Sequence, residues 1–134
     1  MTNSNKISQA RAAMRAVFGL VPLLAGLDKF LNLLTNWGEY LSPLARRMLS
    51  VKDTTFMHAV GVIEMLVGLS ILTRWPRQGA YVASVWLLLI ALNLLTTGHH
   101  FDVATRDAAL AVCAFALARL TEAAEQPAPA KASA

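Results

Sequence analysis

Four apolar blocks separated by polar connections organise this chain. They run from about Arg15 to Leu34, Phe56 to Thr73, Gly79 to Thr96 and Ala104 to Leu120. Each approaches the ~20 residues that an α-helix needs to cross about 30 Å of hydrocarbon. Val82 to Leu95 offers almost no polar face, which a helix of a soluble bundle would require. The pattern predicts an all-α fold, a four-transmembrane-helix bundle. Residues 1–14 read as a polar, basic N-terminal segment, residues 15–120 as the membrane domain, and residues 121–134 as an Ala/Pro-rich disordered tail.

The connections refine this picture. The first is the longest. Within it Ser42-Pro43 reads as an N-cap followed by proline at the first helical position. Leu44, Met48 and Val51 would then share a face, with Arg46 and Arg47 off it, which predicts a short interfacial helix between helices one and two. Trp37 and Tyr40 suit the same interface. Arg74-Trp75-Pro76-Arg77 forms a tight basic turn. The first block begins like a signal peptide, but Asp28-Lys29 stands where a small-residue cleavage motif belongs and the apolar pattern resumes at Phe30, so a retained helix is expected.

Composition agrees with a membrane chain. Of the 134 residues 56% are hydrophobic and 15% charged, against about 45–50% and about 25% in soluble domains. The formal net charge is +4. The basic residues lie at block ends, with no stripe of interleaved aromatics, so nucleic-acid binding is not expected. Lys6, Arg11, Arg15, Arg74, Arg77, Arg119 and Lys131 fall on one side of a four-span arrangement. Arg46, Arg47, Lys52 and Arg106 fall on the other. The bias places both termini in the cytoplasm. The lone Cys113 excludes an internal disulfide or a CxxC pair.

Charge inside the apolar blocks marks the candidate chemistry. Glu64 interrupts an otherwise uncharged run from His58 to Leu72. An ionisable residue in a membrane segment is a functional-site hypothesis whose partner must be found. Lys29 is the candidate. If helices one and two are antiparallel neighbours, both residues sit roughly 10–12 Å from the outer ends. Gly19, Pro22, Gly26 and Lys29 share one stripe, and Gly61, Glu64 and Gly68 another. Small residues let membrane helices approach closely. An unpaired charge there costs roughly 2.5–3.5 kcal/mol on insertion scales, which pairing would offset. The pair reads either as a clamp that sets register or as a group that handles a proton or ligand. Asp28, about 100° round the helix from Lys29, would face Asn93 or a water-filled crevice. Asn93 itself reads as interhelical glue or a ligand contact.

A second polar group gathers at the predicted outer surface: His58, His99, His100, Asp102, Arg106 and Asp107. Histidine and aspartate can ligate metals. HExxH and paired cysteines are absent, and no metal site is expected. Arg106 and Asp107 read as a helix start. The chain has no Gly-rich phosphate loop, no GxSxG and no haem CxxCH.

These residues together resemble the DoxX family of small four-helix bacterial membrane proteins. The resemblance is carried by Arg15 opening helix one, Gly26-Leu-Asp-Lys29, Gly61-Val-Ile-Glu64 with Gly68, the Gly98-His99 connection, and Arg106-Asp107 opening helix four. It covers Arg15 to Leu120. It implies a multi-pass protein of the bacterial cytoplasmic membrane, associated with redox assemblies. Three functions stay open: an accessory or anchoring subunit, a quinone-linked oxidoreductase subunit using Lys29 and Glu64, and a small transporter component. A quinone is the cofactor this admits. A redox-protein subunit, the lipid bilayer and further copies of the chain are the partners it admits.

Overall fold

The computed structural model describes residues 3–50 and 52–126. Five α-helices and one 3-10 turn make up the fold: α1 (Asn3–Leu31), the 3-10 turn Trp37–Tyr40, α2 (Pro43–Leu49), α3 (Asp53–Leu72), α4 (Pro76–Leu95) and α5 (Phe101–Glu125). There is no strand among the described residues.

Three of the helices, α1, α3 and α4, are long and apolar enough to cross a membrane. The sequence pattern predicts a fourth span. The helix that occupies that place, α5, is long enough but rich in alanine, and it carries Asp102, Arg106, Asp107, Arg119, Glu122 and Glu125. Two expected boundaries move. α1 begins at Asn3, so the segment ahead of Arg15 is helical nearly throughout. α5 runs to Glu125 with Thr121 buried, so the expected tail begins later than residue 121; its remainder, 127–134, lies outside the described residues, as does Val51.

The packing follows residue size. α1 lies along α3 and α4 along α5, and the two pairs meet mainly through α3 and α4. Small side chains fill the α4–α5 seam: Ala80, Ala83, Ala91, Ala104, Ala111, Ala114 and Ala118 are all buried. Large aliphatic side chains point outward instead. Val21, Leu24, Leu66, Val85, Leu89 and Val112 each expose about half of their surface or more. Small inside and large apolar outside is the distribution of helices that pack in lipid, where exposure of a leucine costs nothing.

Glycine takes the α1–α3 contact to its limit. A Cβ on Gly26 would stand 2.5 Å from the Gly61 carbonyl oxygen, and one on Gly61 would stand 2.6 Å from that of Gly26. Two turns away, a Cβ on Gly68 would stand 2.5 Å from the Gly19 carbonyl. Both predicted stripes therefore face each other, backbone against backbone.

Arg15 locks the other end of this hairpin. Its Nε donates to the Ile71 carbonyl at 2.7 Å, and one terminal nitrogen donates to Leu72 at 3.1 Å and Thr73 at 2.7 Å. The last carbonyls of a helix have no partner within it, and a planar guanidinium reaches several at once. Arg15→Lys is expected to lower stability by about 1.5 kcal/mol, because an ammonium cannot reproduce the fork. Detergent-denaturation midpoints of the two proteins measure this. Equal midpoints would show that water or headgroups satisfy those carbonyls unaided.

Candidate functional site

The site is built where α1 stops. Asn32, with φ of 52°, turns the chain out of the helix after its amide has donated to the Asp28 carbonyl at 2.6 Å. Lys29 therefore lies in the last turn of α1, closer to the helix end than the expected length to Leu34 would put it. Glu64 lies eleven residues into α3, roughly 16 Å along its axis. The first turns of α3 thus extend well beyond α1. Segment 32–42 folds into the space this leaves.

Lys29 Nζ and Glu64 Oε2 are 2.5 Å apart, with both side chains buried. The ring of Trp37 lies 3.8 Å from the same ammonium, a cation–π contact. The second oxygen of Glu64 faces the Trp86 indole N–H at 3.5 Å. Helices α1, α3 and α4 and the 3-10 turn therefore all contribute to one closed group. Trp37, laid across Lys29, contributes to its burial.

Asp28 takes neither place suggested by the sequence, since it reaches neither Asn93 nor an open crevice. Its carboxylate accepts from the Leu33 and Leu34 amides, each at 3.0 Å, and from the Trp37 indole at 2.9 Å. One side chain thus folds the strap back and holds Trp37 over Lys29. Asn93 anchors the far end of the strap. Its amide nitrogen donates to the Tyr40 carbonyl at 2.8 Å, and its oxygen accepts from the Ser42 amide at 3.3 Å. It is glue between a helix and a loop, not between two helices. Ser42 then caps α2 through the Ala45 amide at 3.1 Å, with Pro43 at the first position.

The outer polar residues do not form one constellation. His58 stacks on Phe30, with ring centroids 4.5 Å apart. His100 packs on Tyr40 and on His99, each at 4.7 Å. With φ of 64° it also makes the corner before α5. Asp102 is exposed in the first turn of α5. Arg106 and Asp107 are not a helix start, because α5 begins at Phe101. Asp107 is buried and Arg106 exposed, with 3.4 Å between them. The partner of the Asp107 carboxylate is Arg106, and no histidine among the described residues bonds to it. Among the described residues no group of three His, Cys, Asp or Glu side chains could hold a metal ion.

A polar cleft of about 300 Å³ opens over Lys29, lined by Asn32, Asn36, Gly38, Glu39, Arg46, Asp53, Thr54 and Met57. Arg46 crosses it, paired with Asp53 at 3.0 Å and donating to the Gly38 carbonyl at 3.1 Å. Trp37 was legible in the sequence only as an interfacial aromatic. Its part in holding the pair depends on a strap whose path no periodicity encodes.

No family model matches the chain, and neither a curated protein nor a solved structure matches it.

Proposed function

We propose that the chain is a DoxX-like, four-span protein of the bacterial cytoplasmic membrane, with both termini cytoplasmic, that anchors or organises a membrane redox assembly. The observation that carries the anchoring part is the closure of the Lys29–Glu64 group. Lysine, glutamate and both indoles answer one another, and no buried side-chain nitrogen or oxygen among the described residues lacks a hydrogen-bond partner. A buried pair of this kind sets the register of α1 on α3. The redox setting rests on the resemblance of the Gly26–Lys29 and Gly61–Glu64 segments. The fourth span is α5, whose charges lie near its two ends and leave Ala108 to Ala118 uncharged. The excess of Lys and Arg on the side of the termini supports the orientation.

The polar cleft favours a second reading. A cleft with Lys29 in its lining would suit a quinone headgroup, held by the lysine while Glu64 exchanges a proton.

Mild-detergent purification separates the two, with mass spectrometry and an optical spectrum of wild type and of the Lys29→Met/Glu64→Gln double variant. An anchor is expected to retain the same stable partner in both, with no chromophore that depends on the pair. A quinone or chromophore present in wild type and lost from a still-assembled variant would establish the second reading instead.

A further inference from the structure

A groove of about 340 Å³ opens between α3 and α4, running from Ile63 to the turn that joins the two helices. Ile63, Leu66 and Val82 form its apolar body, and Gln78 and Trp75 stand at the end nearest the α3–α4 turn. Gly79 makes it possible for the helices to close beneath: a Cβ there would come 2.7 Å from Ile71 Cγ1. The groove faces outward from two helices that are both long and apolar enough to cross a membrane.

The charges at this end are unevenly engaged. Arg15 is committed to the last carbonyls of α3. Arg77 pairs with Glu125 at 3.2 Å. Glu122 accepts from the Tyr81 hydroxyl at 2.8 Å and from Arg119 at 3.0 Å. Both carboxylates are therefore occupied. Arg74, one residue before Trp75, is exposed and makes no hydrogen bond or ion pair among the described residues. An apolar groove thus ends at an exposed tryptophan whose chain neighbour, Arg74, carries a free guanidinium.

We propose that this groove is a seat for an anionic phospholipid, with one acyl chain along Ile63, Leu66 and Val82 and the phosphate on Arg74. The charge supplies the choice of lipid, because a chain alone would fit any phospholipid. A guanidinium meets phosphate oxygens with a matching fork of donors. The proposal rests on α3 and α4 being membrane spans.

The test uses the full chain in mild detergent. Native mass spectrometry compares dioleoyl phosphatidylglycerol with dioleoyl phosphatidylcholine, which differ in net charge but not in chains. Wild type is expected to retain the anionic lipid about fivefold better, the scale of one basic residue at an anionic surface. Arg74→Gln, an exposed change outside the packed seams, is expected to remove that preference and leave the zwitterionic adduct unchanged. Val82→Trp, which fills the groove, is expected to reduce both adducts. Equal retention of the two lipids by wild type, a preference that survives Arg74→Gln, or adducts unaffected by Val82→Trp would each overturn the seat. Alkaline carbonate extraction of membranes runs alongside. Release of the chain overturns the membrane reading, and the seat with it; retention without a lipid preference overturns the seat alone.

Discussion

Lys29→Met is expected to destabilise the protein by about 3–5 kcal/mol, the cost of removing one member of a buried ion pair. The loss has two parts. Glu64 is left buried with only the Trp86 indole N–H, 3.5 Å away, and Trp37 loses the cation beneath its ring. The double variant Lys29→Met/Glu64→Gln is expected to regain most of this, because two neutral side chains of similar volume leave no uncompensated charge. Unfolding by sodium dodecyl sulfate in mixed micelles, followed by circular dichroism, gives both midpoints. The order wild type, double variant, single variant is the expected result. A Lys29→Met protein as stable as wild type would refute the clamp, whatever ligand the cleft above it takes.

The second large effect belongs to the glycine contact. Gly61→Ala would set a methyl group 2.6 Å from the Gly26 carbonyl oxygen and 3.2 Å from both Lys29 Cβ and a Phe30 ring carbon. Backbone cannot swing aside as a long side chain can, so α1 must move away from α3 along its length. The expected cost is about 3 kcal/mol, at the upper end for overpacking. The displacement also stretches the Lys29–Glu64 contact one turn away. Gly38→Ala is the matched control: its Cβ would meet nothing nearer than 3.5 Å, and near-neutral stability is expected. The same micelle titration compares them. A Gly61→Ala protein no weaker than Gly38→Ala would mean that the close contact contributes nothing to holding α1 on α3.

Much of this was legible along the chain. Apolar runs near 20 residues mark α1, α3 and α4, because hydrocarbon leaves no water to satisfy an open backbone. Ser42-Pro43 marks the start of α2, since cap chemistry is local. The glycine stripes follow from helical periodicity alone, and their facing each other follows from α1 and α3 being antiparallel neighbours. Helix ends were less legible. α1 stops at Leu31 although Leu33 and Leu34 are apolar, because the Asp28 carboxylate takes their amides and turns them outward. α5 runs past Leu120 because Tyr81 and Arg77 of α4 hold Glu122 and Glu125.

The sequence by itself determined that the chain is helical, that it carries four apolar blocks, of which three form helices long and apolar enough for a membrane, and that Lys29 and Glu64 lie on glycine-lined faces. These follow from composition and periodicity, which are properties of single segments. Only the tertiary structure decided what surrounds the pair. Trp37 comes from the 3-10 turn and Trp86 from a third helix. It also decided that Asn93 holds a strap and that His58 stacks on Phe30, apart from the paired His99 and His100. The contacts of Lys29 with Trp37, Glu64 with Trp86 and Asn93 with Tyr40 join residues between 8 and 53 positions apart, and their energies depend on distances that no local pattern carries. A buried charge shows that a partner is needed, and only the fold supplies the aromatic rings and carboxylates around it.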